Sequence, residues 1–348
     1  MRILSVGPFS ANNFNNTSVH RSKVLQSLAT DFYEFDSTIH FDFYTRCIYK
    51  LISNGIQLYL PDQNSINKNL IDFVAQKEVD LIWIDKGTIF TKKTLEQIKK
   101  LQPNAKLVHY MIDDFMNPYH RTKQILETIP VYDYYIVNRK ANIDELKQRG
   151  CKKPIFTFMS YESSYHYPRE IIEQEKLSLG GGVGFIGTFE KERAESICYL
   201  ADQGIPVRVY GNGWKHLENY SSNLMIEGKG LYSDNFCKAI QAFKINLGFL
   251  RKKSRDLHTT RSTEIPACGG FMLAERTLEH LALFEEGKEA VFFSSNQELY
   301  EQCLYYLNHE EERLKISQAG YQKCVDAGYD NQKTIKRVLD EILNDVKL

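Results

Sequence analysis

Residues 79–111 read VDLIWIDKGTIFTKKTLEQIKKLQPNAKLVHYM, and this stretch decides the fold class. Its first six residues form an apolar run of buried-strand length. Thr91 then offers a hydroxyl to cap a helix, and Thr94, Leu95, Ile98 and Leu101 follow at helical spacing. Residues 107–111 return to a short apolar run. A strand, a helix and a second strand joined this closely form a βαβ unit, whose strands lie parallel with the helix across one face.

The same alternation extends in both directions. Residues 2–6 read as a first strand, with a polar loop and a helix over 17–29 after it. Residues 134–137 are another strand, followed by a helix ending near Gly150 and a strand over 155–158. Residues 165–182 break the pattern, with Pro168, a charged stretch and Gly180-Gly181-Gly182, and the core of this break, 166–182, is read as an interdomain linker. Beyond it the pattern restarts. Strands are expected over 183–186, 207–210, 245–250, 271–274 and 291–293, with helices over 191–203, 234–243 and 262–268. Helices over 297–307, 310–327 and 332–346 finish the chain. The expected fold is α/β, two doubly wound Rossmann-like domains. Residues 1–165 form the first, 166–182 the linker and 183–330 the second, and a terminal helix in 331–348 packs back on the first. Ligands of such sheets sit beyond the carboxyl ends of the strands, here in a cleft between the domains.

The 348 residues suit two domains, and 43% apolar content fills two cores. Lys plus Arg equals Asp plus Glu, 44 each, so no basic field draws nucleic acid to the whole chain. Seven scattered cysteines without C-x-x-C or zinc-ligand spacing fit a reducing cytosol. The apolar stretch at 3–6 is shorter than a signal-peptide core of about 7 to 15 residues, and no run reaches the roughly 18 apolar residues of a membrane span. A cytoplasmic location is expected, with peripheral association at a membrane surface left open.

The chemistry concentrates in residues 255–276, RDLHTTRSTEIPACGGFMLAER. A loop of hydroxyl and cationic side chains, Thr260 and Ser262 among them, leads into a short helix. The hydroxyls of Ser262 and Thr263 can cap it, and its free N–H groups and positive dipole end favour a diphosphate. Arg261 can grip phosphate oxygens with two parallel hydrogen bonds. Glu264 can accept from the two hydroxyls of a ribose. Pro266 suits an early helical position, and Gly269-Gly270 ends the helix. The plain alternative is a capped helix with a glycine terminus and no ligand.

This segment resembles the donor-binding signature of group 1 glycosyltransferases, in the branch similar to the spore-maturation protein CgeB. The matching pieces occur in order: VGFIGT (183–188), Glu192-Arg193, Val209-Tyr210-Gly211 with Trp214, KINL (244–247), Arg251, Arg261 to Glu264 with IPACGGF (265–271), and FEEGKEAV (284–291). Asp85-Lys86-Gly87 and Asp113-Asp114 continue the resemblance in the first half. It implies the two-lobed GT-B fold and, residue by residue, a donor site. Glu264 matches the ribose-holding second acid of an E-x7-E element, and Asp256 stands at the first acid, an aspartate where the family has glutamate. Gly187 and Thr188 resemble the turn beside the diphosphate, and Arg193 the phosphate-side arginine. Gly211 and Trp214 resemble part of the nucleotide cleft, with lobe core as the alternative for Trp214. Tyr232 either lines the base pocket or simply packs. Arg251 faces the same edge, and His258 either bonds a phosphate or sugar hydroxyl or is a solvated loop histidine.

The first lobe is expected to hold a carbohydrate or glycoconjugate acceptor. Gly7-Pro8-Phe9-Ser10 follows its first strand. Asp113 and Asp114 follow another and could orient an acceptor hydroxyl or act as base, or could merely cap a helix. No D-x-D element occurs, so no bound metal and no cofactor are expected. Arginines and the helix end would neutralise the leaving diphosphate. The leading function is therefore transfer of a hexosyl group from a nucleotide sugar. A nucleotide-sugar 2-epimerase and a non-catalytic glycan-binding or spore-coat protein are the alternatives. A nicotinamide dehydrogenase would need G-x-G-x-x-G after the first strand, which residues 7–11 lack.

Overall fold

The structure is a computed structural model that describes residues 1–10, 16–119 and 121–346. The loop expected after the first strand falls partly on residues 11–15, outside the described residues. The chain forms two compact units. Unit 1 combines Met1–Phe158 with Asn331–Leu348, and unit 2 is Met159–Asp330.

Unit 1 begins with β1 (Arg2–Gly7), α1 (Thr17–Leu28), β2 (Asp31–Asp36), α2 (Phe43–Ile52) and α3 (Ile66–Val74). It continues with β3 (Leu81–Asp85), α4 (Lys92–Leu101), β4 (Lys106–Met111), α5 (Lys123–Thr128), β5 (Tyr134–Val137), α6 (Ala141–Gln148) and β6 (Pro154–Phe156). Thr91 caps α4 by accepting from the Thr94 N–H, and β3 and β4 pair in parallel from Leu81↔Lys106 to Asp85↔Tyr110.

Unit 2 runs through α7 (Glu173–Leu179), β7 (Gly181–Ile186), α8 (Lys191–Asp202), β8 (Val207–Tyr210), β9 (Leu224–Ile226), α9 (Ser233–Ala242) and β10 (Phe243–Gly248). Then come α10 (Arg261–Ala267), β11 (Met272–Glu275), α11 (Leu278–Leu283), β12 (Val291–Phe293), α12 (Asn296–Asn308) and α13 (Glu310–Asp326). The last helix, α14 (Asn331–Val346), belongs to unit 1. Its Ile335, Val338, Leu339 and Ile342 form one apolar stripe and join Val24 and Leu25 of α1 over one face of the first sheet. Helices α3 to α5 cover the other face.

Both sheets have six parallel strands. The first is ordered β2-β1-β3-β4-β5-β6 and the second β12-β11-β10-β7-β8-β9. Counted within its own unit, the second order is 3-2-1-4-5-6, the Rossmann arrangement, and its switch point lies between β7 and β10.

The linker expectation is corrected. Residues 166–182 lie inside unit 2, where α7 packs on α9 and Gly181 already pairs with Phe243 as the first residue of β7. The Gly180-Gly181-Gly182 run does not serve flexibility. A Cβ on Gly180 would stand 2.2 Å from the Ala242 carbonyl oxygen, so this glycine permits a close backbone approach.

Candidate functional site

The carboxyl ends of β7 and β10 define the place where a doubly wound sheet binds its ligand. Beyond β7 the chain turns at Gly187. The Gly187 N–H donates to the Tyr210 carbonyl at 2.9 Å, and its own carbonyl accepts the Trp214 Nε1–H at 2.9 Å. Trp214 is wholly buried and packs edge-on against Phe185 and Phe189. It is thus core, and the donor-contact expectation for it is corrected: an indole with no exposed surface positions the Gly187 turn and touches no ligand. Gly211 has φ +151°, and a Cβ there would meet the Gly187 carbonyl oxygen at 1.9 Å. Thr188 is exposed at the tip of the turn.

Arg193, in the first turn of α8, spans the switch point. Its Nη1 donates to the Thr188 carbonyl (3.1 Å) and its Nε to the Leu250 carbonyl (3.4 Å). Burial works against its charge, while Glu190 and Asp256 support it. Glu190 Oε1 stands 3.7 Å from Arg193 Nη1 and 3.2 Å from Arg251 Nε. Arg193 therefore holds the two loops together through Nε and Nη1. Arg251, half-exposed, leaves solvent at this edge within reach of a cation. Asp256 is buried among these groups.

On α10 the Arg261 guanidinium donates from Nε to the Ile186 carbonyl (3.3 Å), the last residue of β7, and pairs through Nη1 with Glu264. Its guanidinium carbon lies 4.4 Å from the centre of the Phe236 ring. The other oxygen of Glu264 lies 3.8 Å from His166 Nε2, and the ring of His166 meets Phe236 edge-on. Burial holds His166 below its ordinary value, so it faces Glu264 as a neutral ring near neutral pH. Arg261 and Glu264 are brought together at the carboxyl end of β7, where a diphosphate and its ribose would lie in a fold of this type.

Several details of this helix differ from expectation. Ser262 and Thr263 do not cap it: the N-cap is Thr260, which makes no side-chain cap bond. The Ser262 hydroxyl accepts from the Thr259 N–H (2.9 Å) and bonds His280 Nε2 (2.7 Å), and the Thr263 hydroxyl donates to the carbonyls of Met159 and Thr260. The N–H groups of Ser262, Thr263 and Glu264 donate to Thr259 and Thr260 carbonyls, so they are not free for a phosphate. Pro266 sits late in the helix, not in its first turn. His258 is not solvated. Its Nε2 accepts the Met159 N–H at 2.8 Å, which assigns the proton to Nδ1, 2.5 Å from Glu279 Oε2. Buried and paired, it anchors residue 159 and reaches no ligand.

Tyr232 is 47% exposed and lines a cavity of about 320 Å³ with Tyr210, Glu227, Lys229 and Asn235. In unit 1 the acid pair divides. Asp114 is fully buried and accepts from Asn142 Nδ2 at 3.0 Å, which corrects its catalytic reading. Asp113 is partly exposed. Asp85, the weaker candidate, is buried in an ion pair with Arg21 (2.6 Å) and accepts from Ser18. Sequence reading missed His166, Phe236 and Glu190. Only Glu190 carried a signal, its i,i+3 spacing to Arg193. His166 and Phe236 meet Glu264 and Arg261 solely through the fold.

Comparison with known proteins bears on the fold and on the class of the second half. Residues 193–340, under half of the chain, match a family model described as glycosyl transferase-like. No curated protein matches the chain by sequence. Among solved structures, HepE of Anabaena in complex with UDP-glucose aligns at TM-score 0.66 and 12% identity, covering 99% of this chain and 100% of that one. Sucrose-phosphate synthase of Thermosynechococcus elongatus aligns at 0.66 and 10%, covering 99% of each chain. A putative UDP-N-acetylglucosamine 2-epimerase of Listeria monocytogenes aligns at 0.54 and 12%, covering 97% of this chain and 94% of that one. The fold is GT-B, and residues 193–340 carry the sequence pattern of a glycosyl transferase-like domain.

Proposed function

We propose that this protein transfers a hexosyl group from a nucleotide-sugar donor to a carbohydrate or glycoconjugate acceptor. The observation that carries the reading is the Arg261–Glu264 pair. It lies at the carboxyl end of β7, beside the switch point of the second sheet and within the residues that match the glycosyl transferase-like model. In this reading Arg261 and the exposed Arg251 face the diphosphate, Glu264 takes the ribose hydroxyls, and Thr188 and Thr260 contribute hydroxyls nearby. Arg193 and Gly187 shape the turn, and Tyr232 stands beside the base. Asp113 is the acid that remains for an acceptor hydroxyl, and Asp256 supports Arg193. Charge on the leaving diphosphate is met by arginine without a protein-bound metal or cofactor.

The likeness to the CgeB-like branch, a role in surface-polysaccharide synthesis and a cytoplasmic site of action belong to the same proposal. Among the described residues no helix is long and apolar enough to cross a membrane, which is compatible with peripheral association. The GT-B fold also accommodates the 2-epimerase reading, which shares the donor site and needs no acceptor.

The test has two stages. Thermal stability is measured with UDP, GDP, CDP, dTDP and ADP. A ligand at about 100 Kd adds about 2.7 kcal/mol to the folded state. Nucleotide sugars of the best base are then supplied with carbohydrate acceptors. A glycoside product supports the proposal, a C2 epimer replaces it with the second reading, and no stabilisation by any nucleotide overturns both.

A further inference from the structure

Two thiols of unit 2 touch. Cys237 lies on α9 and Cys268 immediately follows α10, and their sulfurs are 3.3 Å apart. Both residues are buried and neither is in a disulfide. The Cys268 S–H donates to the Cys237 sulfur, and the Cys237 S–H donates to the Tyr165 carbonyl at 3.1 Å. The hydrogen bond from Cys268 draws the Cys237 thiol down from its ordinary value, with Arg169 acting in the same sense against burial. Burial pushes Cys268 up. The two thiols are thus unequal, and Cys237 is the one that yields a thiolate first.

We propose that Cys237 and Cys268 form an oxidisable dithiol, which a peroxide converts to a disulfide joining α9 to α10. When a local opening of α9 admits hydrogen peroxide to the buried pair, the Cys237 thiolate attacks one of its oxygens. The O–O bond breaks, a sulfenic acid forms, and the departing hydroxide leaves as water with one proton. The Cys268 sulfur then attacks the Cys237 sulfur and expels its hydroxyl as a second water. Two thiols and one peroxide become one disulfide and two waters. The sulfurs must close from 3.3 Å to about 2.05 Å.

That movement falls where α9 and α10 carry the proposed donor groups. Phe236, adjacent to Cys237, supports the Arg261 guanidinium, and the Cys268 N–H donates to the Glu264 carbonyl at 3.0 Å. An effect of oxidation on nucleotide binding therefore rests on the donor-site reading above; formation of the bond does not.

The experiment uses the full chain carrying Cys47→Ser, which removes an exposed thiol of unit 1. The protein is treated with hydrogen peroxide, alkylated and mapped by mass spectrometry, and UDP binding is followed by calorimetry. A mass loss of about 2 Da before alkylation and a linked 237–268 peptide are expected, both reversed by dithiothreitol. Cys268→Ser and Cys237→Ala should each abolish the link, while Cys303→Ser should retain it. UDP affinity should fall about tenfold on oxidation and be unaffected by peroxide in the Cys237→Ala protein. Free thiols at 237 and 268 after Cys198 is fully oxidised, or a link to another cysteine, would overturn the proposal. A 237–268 link with unchanged UDP affinity would overturn its connection to the donor site. Absence of binding of UDP and of each of the other four nucleoside diphosphates in the reduced protein would count against the donor-site reading and leave the dithiol standing on the peptide map.

Discussion

Replacing Gly211 with alanine should be among the most damaging single-methyl changes available to unit 2. The new Cβ would stand 1.9 Å from the Gly187 carbonyl oxygen and 2.6 Å from its carbon. These are backbone atoms, and the carbonyl is also fixed by Trp214 Nε1, so no flexible side chain can yield. The residue must also keep φ near +151°, a conformation costing a non-glycine residue about 1 to 3 kcal/mol. Adding displacement of the turn brings the expected loss to about 3 to 5 kcal/mol, or about 6 to 20 °C in Tm for a domain of this size. Gly204 supplies the control. It has φ +84° with nothing within 4 Å of its Cβ position, so Gly204→Ala pays the conformational cost alone and should lose about 1 to 2 kcal/mol. Urea unfolding of both variants, with nucleotide titration of the folded fraction, reads the difference. Gly211→Ala should also weaken nucleotide binding, because the turn it displaces borders the site. If it proves no less stable than Gly204→Ala, the Gly187 carbonyl is not wedged as described and the argument for this turn fails.

Three further outcomes are expected. Glu264→Gln should leave the fold intact and weaken nucleoside diphosphate binding by about 1.5 to 3 kcal/mol, whereas Arg261→Ala should affect the diphosphate far more than the bare nucleoside. Calorimetry with both ligands checks this, and equal losses for Arg261→Ala would make that arginine structural. Asp114→Ala should destabilise unit 1 by about 1 to 3 kcal/mol, since one N–H of the buried Asn142 amide loses its acceptor and only the bond to Glu145 remains, while Asp113→Asn should leave urea stability unchanged and lower turnover; the reverse pattern would exchange their roles. Acid should destabilise the protein through His109 and His280, both pushed down to about 4 by burial. Unfolded histidine titrates near 6.5, so the unfolded chain binds protons that the folded chain refuses as pH falls from 6.5 to 4. Each histidine's contribution is complete above pH 6.5 and diminishes through that window by up to about 3 kcal/mol. Urea midpoints at pH 7 and 4.5 should differ accordingly, and His280→Asn should reduce the difference.

The sequence alone determined the class of fold, because burying both faces of a parallel strand demands continuous apolar runs, and amphipathic helices between them leave a periodic trace. Residues 79–111 carried that information in full, down to the Thr91 cap. It determined much less where a strand lies at an edge: β2 reads DFYEFD and remains half-exposed, so its hydrophobic signal is weak. The exposed α2 carries the same ambiguity. The resemblance to a donor-binding signature pointed to Arg261, Glu264, Gly187 and Arg193 in one half of the chain, because its pieces occur in order along the sequence. Tertiary structure decided the rest. Whether Trp214, His258 and Asp114 face a ligand or a neighbour depends on burial, which local spacing does not encode. Likewise, only the fold brings His166 to Glu264, 98 residues apart in sequence and 3.8 Å apart in space, and sets the sulfurs of Cys237 and Cys268 in contact. These contacts arise between elements distant along the chain, and their geometry is fixed by packing across the sheet.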